Sequence, residues 1–302
     1  MRKMAVIGLG HVGATVAYTL VSQGIADELV LIDTNEKKVV AEKLDFEDAM
    51  PRLPYHVEIK TQDYAELKDV DVIITAFGDI DASVGTGNRF AEFEINTKNA
   101  VEVGKKIKES GFSGVIIDIS NPCDAVTSIL QETTGLPRNQ VLGTGTFLDT
   151  ARMQHVVGDA LGQDGRNVEG FVLGEHGNSQ FVAWSTVRVN NKPITEFFTE
   201  EELEELGKKP AEGGFKVANG KGYTSYAIAT CGVKLAQAVL SNAHFFGPVS
   251  TYVEEVGTYV GYPAIVGAKG VEKVVSLVLT DEEKAKLEQS ANYIKEHLDS
   301  LK

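Results

Sequence analysis

The 302-residue sequence has few of the residues that would indicate a secreted, zinc-dependent or nucleic-acid-binding protein. Its two cysteines, Cys123 and Cys231, lie far apart and outside any CxxC or HExxH pattern, so we expect neither a disulfide framework nor a metal site. Basic residues number 29 against 43 acidic ones, which gives a net charge of -14 without any block of Lys or Arg. Because nucleic acids and anionic membranes require concentrated positive charge, we expect neither as a partner.

Long apolar runs are also missing, although the composition is that of a folded protein. Hydrophobic residues make up 43% of the chain and there are only eight prolines, which is typical of globular proteins. No segment approaches the roughly 20 apolar residues that span a bilayer. The basic start is followed by glycines rather than by a signal-peptide cleavage site, so we predict a cytoplasmic protein.

The first half of the sequence alternates short, β-branched apolar runs with helical segments. Strands are predicted at residues 4–7, 29–32, 57–60, 70–75, 114–119 and 141–144, and helices at 11–23, 36–49, 90–110 and 124–134. Strands that are apolar throughout are typical of a parallel sheet with helices on both faces. We therefore predict an α/β fold that begins with a Rossmann-type, doubly wound domain over residues 1–146.

The pattern changes from residue 147 and predicts an α+β domain over residues 147–302. Helices are predicted at 149–161, from 199, at 223–241 and along an apolar stripe from 287 to 301, with strands at 168–173, 181–189 and between 249 and 279. Thr199 followed by Glu202 is a capping-box pattern, so the acidic run at 200–202 indicates a helix start rather than a metal site. No linker separates the two domains, and the cleft between them is the expected ligand site.

The segment GLGHVG at residues 8–13 matches the GxGxxG pattern directly after the first predicted strand. Gly8 allows a tight turn, Gly10 lets backbone N–H groups approach a pyrophosphate, and Gly13 lets the helix pack closely on the strand. Asp33 ends the second strand, where a carboxylate can bind the adenine-ribose hydroxyls and would repel a 2′-phosphate. The combination predicts a dinucleotide site that prefers NAD to NADP.

Two other interpretations of this region remain open. The glycines could form a turn that binds no ligand, and Asp33 could merely cap the helix that begins at Glu36. Lys37 and Lys38 lie close to Asp33 in sequence and weaken the preference for NAD over NADP. The position of the motif between a strand and a helix, with an acidic residue at the expected spacing, favours the dinucleotide site.

Three further segments carry residues with catalytic chemistry, at 78–89, 148–152 and 174–179. Taken singly each has an ordinary structural explanation. Asp149 and Arg152 have the spacing of a local ion pair on a helix, and His176 between glycines could be a structural histidine. Their significance depends on whether they occur together.

Together with the glycine motif, these segments resemble the NAD-dependent L-lactate dehydrogenase family. The matching motifs are GxGxxG at 8–13, SNP at 120–122, LDTAR at 148–152, GEHGNS at 174–179, KGYTS at 221–225 and PVST at 248–251, in the family's order. Asn178, where most members have Asp, and the segment 179–189 resemble the L-2-hydroxyisocaproate dehydrogenase branch. The resemblance implies an oxidoreductase that interconverts 2-oxo acids and L-2-hydroxy acids.

The resemblance assigns roles to four catalytic and substrate-binding residues. His176 would exchange a proton with the substrate oxygen, and Asp149 would orient the imidazole and favour its charged form. Arg152 would hold the substrate carboxylate with two hydrogen bonds. Arg89, on a loop that closes over the site, would polarise the carbonyl group.

Other residues are implied in binding. Asn121 and Thr224 would contact the substrate. The residues implied in cofactor binding are Gly8, Gly10, Val12, Gly13, Asp33, Asn121 and Ile228.

The resemblance also carries expectations about specificity, regulation and assembly. Residues 79–88 contain two aspartates and no Lys or Arg, so malate dehydrogenase activity is the less favoured alternative, and the long loop predicts room for substrates bulkier than pyruvate. Gln154 and Glu169 occupy the positions of an effector site, and Glu169 would repel fructose bisphosphate. We expect a homo-oligomer, a tetramer or dimer. A Rossmann-fold sensor that binds NAD without catalysis is the alternative from another class.

Overall fold

The structure is a computed structural model that describes residues 1–78 and 89–301, with the backbone alone for residues 89–91. Six parallel strands form the first half of the main sheet: β1 (Lys3–Ile7), β2 (Glu28–Ile32), β3 (Glu58–Thr61), β4 (Val72–Thr75), β5 (Val115–Asp118) and β6 (Val141–Gly143). The helices between them are α1 (His11–Ser22), α2 (Glu36–Ala49), α3 (Arg89–Ser110) and α4 (Cys123–Thr134). Their order, β3-β2-β1-β4-β5-β6, is that of the predicted Rossmann domain.

Alternate residues of the central strands supply two separate cores. Met4 of β1 lies beside Leu29 and Val72 in one apolar cluster. The next residue, Ala5, lies beside Val30 and Ile73 in the cluster on the other face. Because successive side chains of a strand point to opposite faces, a strand covered by helices on both sides must be apolar throughout. This explains the continuous apolar runs in the sequence.

The second half contributes four helices and six strands to the described residues. The helices are α5 (Phe147–Ala160), α6 (Glu200–Lys221), α7 (Tyr226–Leu240) and α8 (Asp281–Asp299). The strands are β7 (Val168–Leu173), β8 (Phe181–Val189), β9 (Lys192–Pro193), β10 (Phe245–Val253), β11 (Thr258–Gly267) and β12 (Gly270–Val274). Short 3-10 helices occur at Met50–Arg52, Tyr64–Asp69, Arg138–Gln140, Gly165–Asn167 and Ile194–Glu196. The predicted Rossmann domain with a following α+β part is confirmed.

The main sheet continues from the first half of the chain into the second. Strand β10 pairs with β6 through Ser250 and Gly143, and β11 and β12 extend the sheet to nine strands. Strands β7, β8 and β9 form a separate antiparallel sheet. The continuity brings β10 next to the start of α4, a juxtaposition that the sequence pattern did not predict.

Three features of the second half illustrate where the sequence pattern succeeds and fails. Thr199 and Glu202 form the predicted capping box of α6. Helix α7, predicted from residue 223, starts at Tyr226, because Gly222 ends α6 in the left-handed region at φ 84° and the chain turns before continuing. The apolar stripe of α8 is buried from Leu287 to Ile294, whereas Leu301 is exposed, contrary to the prediction.

Candidate active site

The glycine loop after β1 has two positions that only glycine can occupy and one that faces open space. Gly8 has φ 94°, and a Cβ there would lie 2.6 Å from the backbone nitrogen of Phe77. A Cβ on Gly13 would overlap the carbonyl oxygen of Gly8. By contrast, a Cβ on Gly10 would meet no atom of the described residues within 4 Å. Gly8 and Gly13 therefore allow α1 to pack on β1, while Gly10 leaves the helix N-terminus open.

Asp33 is joined to the glycine loop and does not cap the next helix. Its Oδ2 accepts a hydrogen bond from the backbone N–H of Leu9 at 2.6 Å, and its Oδ1 accepts one from the N–H of Asn35 at 2.8 Å. The cap of α2 is Asn35, whose side chain accepts from the N–H of Lys38. The interpretation of Asp33 as a mere helix cap is therefore wrong.

These residues fit a dinucleotide. Gly10 is the N-cap of α1 and supplies no side-chain cap, so the N–H groups of the first turn can bind an anion. The carboxylate of Asp33 lies one hydrogen bond away from the same loop. Val12 packs against the main core, and Ile228 lies buried on α7, which packs against α1. Of the predicted cofactor residues, Gly8, Gly10, Val12, Gly13 and Asp33 are thus close neighbours.

His176, Asp149 and Arg152 form one hydrogen-bonded cluster. Asp149 is on α5, and its Oδ2 lies 2.6 Å from Nδ1 of His176, in the segment between β7 and β8. Its other oxygen, Oδ1, accepts a hydrogen bond from Nη1 of Arg152 at 2.9 Å. The Asp149 side chain is 1% exposed, whereas those of His176 and Arg152 are 21% and 22% exposed. The buried carboxylate therefore holds two partly exposed side chains, an imidazole and a guanidinium.

The electrostatics of this cluster favour a charged histidine. Burial on its own lowers the pKa of His176, but the charge and hydrogen bond of Asp149, together with the charge of Asp124, raise it above its usual value. Burial on its own raises the pKa of Asp149, but His176 and Arg152 outweigh that effect and lower it. A proton on His176 is thereby stabilised beside an ionised Asp149.

The loop that carries His176 is folded around the side chain of Glu175, a role that the sequence pattern did not indicate. Glu175 Oε2 accepts hydrogen bonds from the N–H groups of Asn178 and Ser179 at 2.8 and 2.9 Å. The N–H of Glu175 donates to Ser290 Oγ of α8 at 2.7 Å. A Cβ on Gly177 would overlap Glu175 Oε1. Glycine and glutamate are therefore both needed to form this loop.

Helix α6 and the segment after it contact both parts of the site. A Cβ on Gly214 would lie 3.3 Å from atoms of the Arg152 guanidinium, so α6 passes directly over that group. Tyr223 stacks on His11 of the glycine loop, with ring centroids 3.6 Å apart and planes 1° apart. Thr224, a predicted substrate residue, follows Tyr223 and is partly buried. The stack connects the glycine loop to the segment that follows α6.

The remaining predicted residues are placed only in part. Asn121 is exposed, and its carbonyl oxygen accepts a hydrogen bond from Nδ2 of the buried Asn96 at 2.6 Å. Within the described part of the chain, no hydrogen bond joins Asn121 or Thr224 to His176. Arg89 is the first residue of α3, but its side chain lies outside the described residues, as do residues 79–88.

Three further observations concern residues 1–78 and 89–301. No three His, Cys, Asp or Glu side chains among them are grouped so that they could hold a metal ion. None of the helices in these two ranges has the length and apolar content needed to cross a membrane. Cys123 and Cys231 are both buried and unpaired.

A doubly wound sheet with an open glycine loop, followed by a second half that sets a carboxylate-bound histidine beside an arginine, defines a dinucleotide-dependent dehydrogenase. Residues 2–143 match the family described as "lactate/malate dehydrogenase, NAD binding domain", and residues 146–302 match its "alpha/beta C-terminal domain". The chain belongs to the lactate/malate dehydrogenase family. Its N-terminal part is the NAD-binding domain of that family, and NAD is its cofactor.

Individual relatives match along nearly the whole chain. L-lactate dehydrogenase 1 of Bifidobacterium longum is 37% identical, over 99% of this chain and 98% of its own. The ligand-bound crystal structure of the minor L-lactate dehydrogenase of Enterococcus mundtii superposes with a TM-score of 0.94 at 34% identity, covering 100% and 98% of the two chains. Malate dehydrogenase of Salinibacter ruber superposes with a TM-score of 0.90 at 28% identity, over 99% and 97%. The chain is thus similar to enzymes named for either substrate.

Proposed function

We propose that this protein interconverts 2-oxo acids and L-2-hydroxy acids with NAD, acting on pyruvate and on 2-oxo acids with bulkier side chains such as 2-oxoisocaproate. The observation that carries the proposal is the cluster of His176, Asp149 and Arg152. It combines a proton donor with a cation suited to a carboxylate, and a 2-oxo acid presents both complementary groups on adjacent carbons.

His176 moves the proton. When bound, NAD supplies the hydride donor or acceptor of the reaction. In the reductive direction, His176 donates a proton from Nε2 to the substrate carbonyl oxygen, because Nδ1 is bonded to Asp149. In the oxidative direction the neutral ring accepts that proton from the hydroxyl group. Asp149 keeps the ring in one orientation and stabilises its charged form.

Arg152 binds the substrate carboxylate. Among the described residues, Arg152 donates one hydrogen bond, from Nη1 to Asp149. The guanidinium is planar and has five N–H donors, so a second edge can bind a carboxylate with two parallel hydrogen bonds. Asp149 thus orients the proton donor and the carboxylate clamp together. Arg89 is the predicted residue that polarises the carbonyl group, and this role rests on the family resemblance.

Room for a bulky substrate side chain is supported by the family resemblance, because the segment at 78–89 is longer than in typical lactate dehydrogenases. Malate dehydrogenase activity is the second candidate, favoured by the likeness to the Salinibacter ruber enzyme and opposed by the two aspartates at 79–88, which would repel a second carboxylate.

The test is NADH consumption with pyruvate, 2-oxoisocaproate, phenylpyruvate and oxaloacetate. We expect turnover of the first three and little of oxaloacetate, and we expect His176→Ala to abolish turnover while NADH still binds. His155→Ala is the matched control, since His155 is exposed on the same helix as Arg152. Negligible rates on the two bulky acids would overturn the size proposal, and oxaloacetate as the preferred substrate would favour malate. Binding of NADH without turnover of any acid would indicate a sensor.

Regulation and assembly are proposed from the sequence positions. Gln154 donates a hydrogen bond to the carbonyl oxygen of Val168 at 2.7 Å, and Glu169 lies opposite Arg188 on β8. A neutral and an acidic side chain at these positions do not attract a bisphosphate, so we expect fructose bisphosphate to leave the pyruvate KM unchanged. A large decrease in KM on adding it would contradict this. Sedimentation is expected to give a homotetramer or homodimer, and the cytoplasmic location stays a prediction.

A further inference from the structure

A second buried carboxylate, Asp124, holds the backbone of the same histidine. Asp124 is the second residue of α4 and is 1% exposed. Its Oδ2 accepts a hydrogen bond from the N–H of His176 at 2.8 Å, and its Oδ1 accepts one from Ser250 Oγ of β10 at 2.6 Å. One carboxylate therefore connects α4, the histidine loop and the strand that joins the two halves of the main sheet.

Asp124 and Asp149 approach His176 in different ways. Asp149 bonds the imidazole ring, and it comes from the second half of the chain. Asp124 bonds the main chain of His176, and it comes from the NAD-binding domain. The ring is thereby oriented by one domain, while the backbone that carries the ring is held by the other. A dehydrogenase needs its two domains held in a fixed relative position, because the proton donor and the hydride must reach adjacent atoms of one substrate.

Burying this carboxylate has a cost that its two hydrogen bonds must offset. Burial raises the pKa of Asp124 to about 6, against the opposing hydrogen bonds from Ser250 and from His176. Asp124 is therefore ionised above that pH. A full negative charge then lies next to the backbone N–H of His176, in an environment where screening by water is weak.

The charged groups around His176 can be named for each element that contacts it. Helix α5 supplies Asp149 and Arg152, helix α4 supplies Asp124, and the loop itself supplies Glu175. Asp149 and Asp124 raise the pKa of His176, while Arg152 lowers it. Strand β10 contributes only the hydroxyl group of Ser250.

We propose that Asp124 is a positioning residue, which fixes the backbone of His176 relative to the cofactor domain and stabilises the protonated form of the ring. The proposal rests on the proposed function insofar as it concerns the rate of 2-oxo acid reduction. Its electrostatic part concerns the folded protein alone and can be measured without substrate.

The experiment replaces Asp124 by Asn, which has nearly the same shape. The Asn carbonyl oxygen can still accept from the N–H of His176, and its amide can donate to Ser250 Oγ, so the charge is lost while both hydrogen bonds persist. Two quantities are measured: the pH dependence of kcat/KM for reduction of the 2-oxo acid, and the NMR titration of the His176 ring in the absence of substrate. NADH binding and the thermal midpoint report whether the variant is folded.

We expect the pH at which reduction declines, and the NMR midpoint of His176, to move down by roughly 0.5–1 pH unit in Asp124→Asn. Ser250→Ala is the matched control: it removes one hydrogen bond and keeps the charge, so the alkaline decline stays where it is in the original protein. A folded Asp124→Asn protein with an unmoved NMR midpoint and unchanged kcat would overturn the proposal.

Two further measurements decide the proposal when the protein shows no turnover or when Asp124→Asn does not fold. If the protein turns over no 2-oxo acid, the proposed function fails, yet the NMR midpoint still decides the electrostatic role of Asp124. If Asp124→Asn does not fold, Asp124→Glu retains the charge on a longer side chain. We then expect kcat to fall, because His176 is displaced, while the NMR midpoint stays within about 0.3 units. An Asp124→Glu protein with unchanged kcat would contradict the positioning role.

Discussion

Around the glycine loop the atoms that matter are mainly closely packed backbone atoms, whereas around His176 they are charged side chains from segments far apart. Gly8, Gly10 and Gly13 act through the side chains they lack. Asp149 and Asp124 act through buried charge, and each is held by partners that lie elsewhere in the sequence. The glycine loop thus depends on how closely backbone atoms can pack, and the cluster around His176 depends on buried charge. Substitutions should separate the two.

The largest effect is expected on the electrostatic side. Asp149→Asn keeps the shape of the side chain but removes the charge that raises the pKa of His176 and binds Arg152. We expect kcat/KM for 2-oxo acid reduction to fall about 10²–10⁴-fold, with NADH affinity nearly unchanged. Steady-state kinetics and fluorescence titration with NADH measure the two quantities. Asp159→Asn, at an exposed position of the same helix, is the control.

The pH dependence of reduction by Asp149→Asn should shift in a predictable direction. In the proposed mechanism reduction needs protonated His176, so its rate should fall as pH rises through the raised pKa of the histidine. Without the Asp149 charge the pKa is lower, and the decline should begin at lower pH. A variant that retained the original alkaline limit would show that Asp149 does not set the proton affinity of His176.

The next effect tests the spatial side with two glycines of one motif. Gly13→Ala places a Cβ against the Gly8 carbonyl and should lower the free energy of unfolding by about 1–3 kcal/mol, which denaturant titration measures. Gly10→Ala meets no described atom and should leave stability unchanged, yet it should weaken NADH binding about tenfold by filling the space where we expect the pyrophosphate to approach. Equal loss of stability in both variants would contradict the distinction.

A smaller effect is expected at Asp33, whose carboxylate both bonds the glycine loop and carries a negative charge. Asp33→Asn keeps the shape of the side chain, but its single amide oxygen can accept from the N–H of Leu9 or from that of Asn35, so one of the two hydrogen bonds is lost together with the charge. Loss of the charge should reduce the preference for NADH over NADPH, by about tenfold in the ratio of their dissociation constants. Asp45→Asn, exposed on α2, is the control. An unchanged ratio would mean that Asp33 serves the loop alone.

The smallest effect compares two neighbouring glycines of α6. Gly214→Ala and Gly213→Ala should each raise the stability of the helix by up to about 1 kcal/mol, visible as a higher thermal midpoint. A Cβ at Gly214 lies close to the Arg152 guanidinium, and one at Gly213 meets no described atom within 4 Å. We therefore expect a few-fold rise of the 2-oxo acid KM for Gly214→Ala alone. The same rise in both would exclude a local effect on Arg152.

How much the sequence predicts depends on how local each interaction is. The strands of the first half, the glycine loop and the capping box at Thr199 are determined by neighbouring residues, and the sequence pattern identifies them. The start of α7 is missed by three residues, because the turn at Gly222 depends on how α6 ends. Leu301 continues the apolar period of α8 but lies beyond the last buried turn.

The residues that sequence analysis missed are those whose partners are distant. Asp124 follows the SNP motif closely, yet its partners are 52 and 126 residues away. Glu175 lies inside a recognised motif, and only the folded loop reveals that it accepts the N–H groups of that loop. The stack of His11 on Tyr223 likewise joins opposite ends of the site. No spacing rule along the chain can express such contacts.

The sequence by itself determined the parallel sheet and the glycine loop, because periodicity and short motifs are properties of adjacent residues. It pointed to His176, Asp149 and Arg152 only through the family resemblance. Only the tertiary structure decided that Asp149 holds both His176 and Arg152, and that Asp124 holds the histidine backbone from the other half of the molecule. The strength of a charge depends on burial and on which distant groups surround it. Those are set by the pairing of β10 with β6 and the packing of α4 and α5, which arise only when the chain folds.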